Sequence, residues 1–155
     1  MGVNNLTYSG KGLCLTEQFE GCRLNAYQDQ VGVWTIGYGH TGPDVTPELT
    51  ITQDQAQSLL AHDVGNAVAC VNRVVAIALT QNEFDALVDF VFNLGTGAFT
   101  GSTMLRDLNA GNITAAAAQF DQWDHAGGAV VAGLLRRRQA ERAMFEDGGS
   151  STQTV

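Results

Sequence analysis

The chain is poor in basic residues. Its 155 residues include 8 Lys and Arg against 16 Asp and Glu, which gives a formal net charge of −8. Because a protein that binds nucleic acid needs a basic surface for the phosphates, this balance argues against a nucleic-acid partner. The densest group of basic residues is Arg136, Arg137, Arg138 and Arg142. We expect this group to cover a solvated helix face, with local contact to an anionic group as the alternative.

Cysteine is also scarce. Cys14, Cys22 and Cys70 show no CxxC spacing and are too few for a structural zinc site. We therefore expect no bound metal and no cofactor. The odd number excludes a fully paired set within one chain, and we expect buried free thiols. A single disulfide in an oxidising compartment remains open.

Long apolar runs and a signal-peptide pattern are both missing from the sequence. Residues 1–11 are polar and contain neither a basic nor an apolar stretch of the required length, so we expect no export signal and no membrane insertion. The 45% hydrophobic and 15% charged residues are typical of a globular protein. We expect a monomer that folds as one unit or as two small lobes sharing a helix, with a disordered tail at residues 148–155.

Periodicity predicts an α+β protein that is predominantly helical. Strand pattern is confined to roughly residues 25–40, where large and small residues alternate from 31 to 40. Capping boxes at Thr52–Gln55 and Thr80–Glu83 predict one long helix to about Arg73 and a buried helix that ends at Gly95. The other predicted helices cover residues 12–20, 103–109, 114–123 and 134–145, the last with Leu135, Met144 and Phe145 facing inward.

Three residues near the start of the chain combine the groups that glycoside hydrolysis requires. Glu20 closes the first helix, Asp29 follows in a turn, and Thr35 lies on the strand. One carboxyl group can protonate the leaving oxygen while a second carboxylate acts as base or nucleophile. Phe19, Leu24 and Tyr27 could give Glu20 an apolar setting. Geometry permits this grouping, but the spacing alone does not require it.

The sequence around these residues resembles the phage lysozymes, the endolysin family also called glycoside hydrolase family 24. The resemblance is carried by Glu20-Gly-Cys-Arg-Leu-Asn-Ala-Tyr-Gln-Asp29 and Gly32-Val-Trp-Thr-Ile-Gly-Tyr-Gly-His40, and it continues through residues 79–95 and 133–145. It implies a two-lobed lysozyme domain over residues 1–147. A small β-hairpin lobe would cover residues 20–52, a linking helix 53–73, and a helical lobe 74–146 together with the N-terminal helix 12–20.

The resemblance also implies a function and a role for each matched residue. A muramidase would hydrolyse the β-1,4 bond between N-acetylmuramic acid and N-acetylglucosamine in peptidoglycan and so lyse the host cell. Glu20 would be the general acid, Asp29 the carboxylate that positions or activates water, and Thr35 its hydroxyl partner. This arrangement suggests inversion, unlike the retaining lysozyme of a different family.

Further positions match the family less closely. His40 and Asp63 would form a structural ion pair, which would stabilise the fold below the unfolded pKa of histidine and above that of aspartate. Phe92 could equally be a plain core residue, and Arg136, with Arg137 as the alternative, would face Glu20. The residues expected to bind sugar are Thr41, Phe92, Ser102, Gln119 and Arg136.

Two other functions remain open from the sequence. A lytic transglycosylase would cut the same bond without water and would need neither Asp29 nor Thr35. A non-catalytic wall-binding module would be expected to lose Glu20 or Asp29. For an endolysin, we expect the host cytoplasm until a holin permits release, and the periplasm and cell wall afterwards.

Overall fold

The computed structural model of the chain describes residues 3–126 and 129–147. Contacts divide the chain into two compact units, Leu13–Gly65 and Met1–Gly12 together with Asn66–Val155. We refer to them as the sheet unit and the helical unit. Residues 12–20 were expected to belong with the helical part. Residues 13–20 group with the sheet instead, while the first residues of the same helix, 10–12, group with the helical unit. The tail predicted to be disordered, 148–155, lies outside the described residues.

The sheet unit contains a small antiparallel sheet, whose strands lie in the sequence after one helix and before another. Its three strands are hydrogen-bonded in the order β1-β2-β3, and Asn25 forms an additional bridge to Thr50. The elements are α1 (Gly10–Glu20), β1 (Arg23–Gln28), β2 (Trp34–Gly37), β3 (His40–Thr41) and α2 (Gln53–Asp63). The predicted first helix and the strand region are thus confirmed.

The predicted strand over residues 31–40 is shorter in the structure. Gly37 and Gly39 have φ angles of +66° and +87°, which lie in the left-handed region that a regular strand does not use. The chain therefore turns after β2 and returns as β3, with Thr35 paired with Thr41 and Ile36 with His40.

The helix predicted from about 53 to 73 is divided in two. Thr52 and Gln55 form the expected capping box at the start of α2. The helix ends at Val64, whose N–H bonds to the carbonyl groups of His62 and Leu60, and α3 (Gly65–Val74) begins at the next residue. A glycine inside a helix costs about 1 kcal/mol relative to alanine, which favours a break at Gly65.

The helical unit is built around a buried helix. That helix begins at the predicted capping box of Thr80 and Glu83 and includes a buried stretch from Phe84 to Val91. Its elements after α3 are α4 (Gln81–Leu94), α5 (Thr96–Thr100), α6 (Thr103–Asn109), α7 (Ile113–Gln119), a 3-10 helix (Phe120–Gln122), β4 (His125–Ala126), β5 (Ala129–Val130) and α8 (Ala132–Glu146). The short β4–β5 pair was not predicted, since the sequence after residue 52 shows only helical periodicity.

The inward face of α8 differs from the prediction. Phe145 is buried as expected, but Leu135 and Met144 remain partly exposed. The other buried residues of the helix are Arg137, Arg138 and Glu141. The expectation of a solvated basic face is therefore wrong for Arg137 and Arg138. Asp89, which is fully buried on α4, supplies the reason, because it binds the guanidinium group of Arg137.

None of the helices in the described part of the chain combines the length and apolar character needed to cross a membrane.

Candidate active site

Glu20 is the last residue of α1 and lies next to the turn between β2 and β3. The helix ends there because Gly21, with a φ of +70°, leaves the right-handed region while its N–H still bonds to the carbonyl of Glu17. A Cβ atom at Gly39 would lie 3.4 Å from Oε1 of the half-buried Glu20. The carboxyl group of Glu20 therefore lies close to Gly39, whose φ of +87° would make a larger residue strained at this position.

Asp29 opens the loop between β1 and β2, and this loop fixes one of its carboxylate oxygens. Oδ1 accepts the backbone N–H groups of Val31 and Val33, each at 2.9 Å. The N–H of Asp29 bonds back to the carbonyl of Val33, also at 2.9 Å. The residue is exposed, and within the described residues its Oδ2 atom accepts no hydrogen bond. A polar group outside the chain can therefore reach Oδ2.

Thr35 is joined to Asp29 through the same residue of the loop. Its hydroxyl group donates to the carbonyl of Val33 at 2.9 Å, so the peptide groups of Val33 contact both side chains. Because the hydroxyl hydrogen is used in this bond, the lone pairs of Oγ1 remain available to accept. Thr35 is 4% exposed and lies on the central strand.

A row of side chains crosses the sheet at Thr35. Tyr27 on β1 and Thr41 on β3 are both paired directly with it, and directly paired residues project to the same face of a sheet. The structure thus brings Thr41, expected from the sequence to bind sugar, next to Thr35. Tyr27 was expected only to shield Glu20, and its place beside Thr35 was missed. The sequence signal was its position on a strand, two residues before Asp29.

Leu24 and Tyr27 are two of the residues that were expected to give Glu20 an apolar setting. Leu24 is 36% exposed, and the ring of Tyr27 carries the guanidinium group of Arg23 at 4.3 Å from its centroid. Leu24 therefore lies at the surface and a cation lies over the ring of Tyr27, and the apolar setting of Glu20 stays a prediction.

His40 contacts two carboxylates. Nδ1 lies 2.7 Å from Oδ2 of Asp63, the expected partner, and Nε2 lies 2.9 Å from Oδ2 of Asp44. Burial alone lowers the pKa of His40, but hydrogen bonds to Asp63 and Asp44 outweigh it and raise the pKa above its ordinary value. The hydrogen bond to His40 lowers the pKa of Asp44. The contact of Asp44 with His40 was not predicted, although the sequence shows the two residues four positions apart in a polar loop.

The four other residues expected to bind sugar lie on the helical unit. Phe92 and Gln119 are half-buried and Arg136 is exposed; Phe92 is therefore not a plain core residue. Ser102 is buried, and its hydroxyl donates to the carbonyl of Phe99 at 2.7 Å and accepts the N–H of Leu105 at 3.1 Å. Ser102 is therefore the N-cap of α6, and its expected contact with sugar stays a prediction.

Comparison with known proteins identifies the family. A model described as phage lysozyme matches residues 17–141. The chain belongs to the phage lysozyme family. The expected fold and the expected enzyme class, a glycoside hydrolase, are thereby confirmed.

Individual phage lysozyme relatives cover most of the chain. An endolysin of Acyrthosiphon pisum secondary endosymbiont phage 1 is 44% identical over 142 residues, which are 89% of this chain and 97% of that protein. An endolysin of Bacillus phage PZA is 45% identical over 142 residues. These residues are 90% of this chain but only 55% of that protein. The muramidase domain of SpmX from Asticaccaulis excentricus has a TM-score of 0.85 and 41% identity, covering 91% of this chain and 98% of that one.

This member of the phage lysozyme family also has a buried charge cluster that the sequence did not indicate. Arg137 binds both oxygens of Asp89 at 2.9 Å, and Nη2 of Arg138 donates to Oε2 of Glu141 at 2.8 Å and to Oδ1 of Asn93 at 2.9 Å. Nε of Arg138 lies 2.7 Å from Oε1 of Glu141, but the two atoms are not aligned for a hydrogen bond. Burial raises the pKa of Glu141 well above its ordinary value, and the hydrogen bond and charge of Asp89 add to this effect. The charges of Arg138 and Arg137 act in the opposite direction but do not outweigh it.

The three cysteines of the chain are free thiols. Cys14 and Cys22 are exposed, so the expectation of burial is wrong for them, and Cys70 is buried. Burial raises the pKa of the Cys70 thiol. Residues 3–126 and 129–147 include no group of three or more His, Cys, Asp and Glu that could hold a metal ion.

Proposed function

We propose that the protein is an endolysin-type muramidase that hydrolyses the β-1,4 bond between N-acetylmuramic acid and N-acetylglucosamine in peptidoglycan. Membership of the phage lysozyme family supports this proposal, as do the endolysin relatives and the muramidase domain with the same fold. We further propose Glu20 as the general acid, Asp29 as the base that activates water, and Thr35 as the group that holds this water with Asp29.

The observation that carries the proposal is the way the loop holds Asp29 and Thr35. Two backbone N–H groups fix Oδ1 of Asp29 and leave Oδ2 to accept. The hydroxyl of Thr35 donates to Val33, so Oγ1 is also left as an acceptor. A water molecule that donates one hydrogen to each acceptor would direct an oxygen lone pair away from both, toward the sugar.

The proposed reaction is a single displacement at the anomeric carbon. The carboxyl proton of Glu20 moves to the glycosidic oxygen as the bond from that oxygen to C1 breaks. The water oxygen forms the new bond to C1, and Asp29 takes the proton that the water loses. Attack from the face opposite the leaving group inverts the configuration at C1.

Residues around this centre would orient the glycan. Thr41 is the neighbour of Thr35 in the sheet and presents an exposed hydroxyl group. We propose that Phe92, Gln119 and Arg136 on the helical unit add sugar contacts, Phe92 through its ring face and the other two through hydrogen bonds.

The cellular role follows from the endolysin relatives. We propose that the protein acts as a monomer, waits in the host cytoplasm, and reaches peptidoglycan in the periplasm when a holin opens the membrane. Expression with and without a holin tests this role, since lysis is expected only when both are present.

The decisive experiment identifies the sugar ends that purified protein releases from isolated peptidoglycan, using mass spectrometry. The proposal predicts reducing muramic acid ends that carry one oxygen from labelled water. Anhydro ends would identify a transglycosylase, and no release would leave a wall-binding module. Time-resolved NMR of the first product tests inversion: the α-anomer is expected, and the β-anomer would show retention.

A further inference from the structure

The charges of the sheet unit are unevenly distributed. Between residues 13 and 65 the only Lys or Arg is Arg23. The acids in the same range are Glu17, Glu20, Asp29, Asp44, Glu48, Asp54 and Asp63. A single cation among seven acids would ordinarily be expected to form an ion pair with one of them.

Arg23 forms no such pair within residues 3–126 and 129–147. It is exposed at the start of β1, and in the described part of the chain its side chain makes no hydrogen bond or ion pair with an acid. Its guanidinium group instead lies over the ring of Tyr27, 4.3 Å from the centroid. A stack of this kind occupies a face of the guanidinium plane and leaves the N–H groups at its edge free to donate.

The stack lies at the candidate active site. Tyr27 is paired directly with Thr35, so its side chain shares the sheet face of that residue. Arg23 follows Glu20 by three residues, and Asp29 follows Tyr27 by two. A carbohydrate chain bound at this face would therefore meet a cation that pairs with none of the described acids.

We propose that Arg23, held by Tyr27, binds a carboxylate of the substrate. This inference rests on the proposed function, since peptidoglycan carries carboxylates and a neutral glycan does not. A guanidinium edge matches a carboxylate in two parallel hydrogen bonds, which gives orientation as well as attraction. The carboxylate belongs either to the stem peptide or, in a muramic acid without a peptide, to the lactyl group, because attachment of a peptide converts the lactyl carboxyl group to an amide. Both carboxylates present the same chemistry to Arg23.

The acidic surroundings make this contact selective. Seven acids weaken the binding of an anionic polymer at long range, so recognition depends on a local, directed contact. Arg23 thus distinguishes peptidoglycan strands from uncharged polymers of N-acetylglucosamine, which share the sugar backbone.

The test measures strand binding in a Glu20→Gln background, so that cleavage is not needed. Three soluble ligands are compared: strands with stem peptides, the same strands with their carboxyl groups methylated, and peptide-free strands with lactyl carboxylates. Adding Arg23→Gln is expected to weaken binding of at least one carboxylate ligand about tenfold and to change binding of the methylated strands less than about twofold. Arg73→Gln, an exposed arginine of the helical unit, is the charge-matched control and is expected to change neither.

Each outcome decides the proposal. If Arg23→Gln weakens binding of the peptide-bearing strands alone, the carboxylate that Arg23 binds belongs to the stem peptide. If it weakens binding of the peptide-free strands, that carboxylate belongs to the lactyl group. An equal loss for methylated and unmethylated strands, no loss, or no measurable binding of any ligand would overturn the role of Arg23. Wild-type protein that binds strands in this way but releases no sugar ends would instead contradict the proposed function alone.

Discussion

Asp29 and Val33 are joined by two reciprocal hydrogen bonds. Oδ1 of Asp29 accepts the N–H of Val33 at 2.9 Å, and the carbonyl of Val33 accepts the N–H of Asp29 at the same distance. The two bonds close the loop between Gln28 and Trp34, which are the paired residues at its ends. They hold the carboxylate in one orientation while its other oxygen faces outward.

Asp29→Asn separates the charge of this side chain from its structural role. The amide oxygen can accept both backbone N–H groups, so we expect the melting temperature to stay near that of the wild type. Loss of the base is expected to lower kcat by about 10²- to 10⁴-fold. Asp29→Ala removes the two hydrogen bonds that the side chain accepts from the N–H groups of Val31 and Val33. It should therefore also lower the free energy of unfolding by about 1–2 kcal/mol. Activity of the Asn variant within a few-fold of wild type would contradict the role of Asp29.

Thr35→Val and Thr35→Ser test the hydroxyl group. Valine keeps the shape of the buried side chain but removes Oγ1, and we expect kcat to fall roughly tenfold or more because one acceptor for the water is lost. Serine keeps the hydroxyl and should retain most activity. Both variants should unfold cooperatively, which circular dichroism checks. Equal activity of the two variants would show that the hydroxyl is not used.

Local features of the fold were predictable because the signals lie close together in the chain. Both capping boxes formed at Thr52 and Thr80 as expected. Glu20, Asp29 and Thr35 lie within one short segment, so a helix end, a loop and a strand position all three. Their spacing permits a shared site without requiring one, and the resemblance of the surrounding sequence to the phage lysozymes supplied the role proposed for each residue.

Features that depend on distant residues were not predictable. Whether Arg137 is solvated or buried depends on Asp89, which lies 48 residues away in the sequence. Three consecutive arginines point in different directions around a helix, and nothing local reveals which of them meets a buried acid. The capping role of Ser102 was missed for a different reason, since resemblance to a sugar-binding position outweighed its place before α6.

The contacts of His40 predict a pH-dependent part of the stability. Its pKa is raised in the folded state, so its contribution is complete below the unfolded pKa of about 6.5 and is lost as the pH rises through the folded pKa. The lowered pKa of Asp44 has the opposite effect: its contribution is present above about pH 3.9 and is lost as the pH falls through its folded pKa. Together they stabilise the fold most between these limits.

His40→Gln is the variant that tests this dependence. Urea unfolding between pH 5 and 9 should show a smaller loss of stability with rising pH than in the wild type. His62→Gln is the matched control, because His62 lies beside the same Asp63 but is 86% exposed. A pH profile that is unchanged by His40→Gln would contradict the assignment.

Glu141 makes a second, separable contribution with the same sign. Its raised pKa means that its contribution to stability is complete below the unfolded value of about 4.3 and is lost as the pH rises toward the folded value. Glutamine stays neutral, so Glu141→Gln should remove this loss and be at least as stable as the wild type at pH 8. Glu146→Gln, on the exposed part of α8, is the control. A Glu141→Gln protein that is far less stable than the wild type at both pH 5 and pH 8 would contradict the raised pKa of Glu141.

The proposed mechanism depends above all on Glu20, which we propose donates the proton to the leaving sugar. The most direct test compares kcat of Glu20→Gln and Glu17→Gln on purified peptidoglycan strands, since Glu17 is half-buried on the same helix one turn earlier. We expect kcat to fall by about 10²- to 10⁴-fold for Glu20→Gln and to stay within about threefold of wild type for Glu17→Gln. Near wild-type activity of Glu20→Gln, with the protein folded, would contradict it.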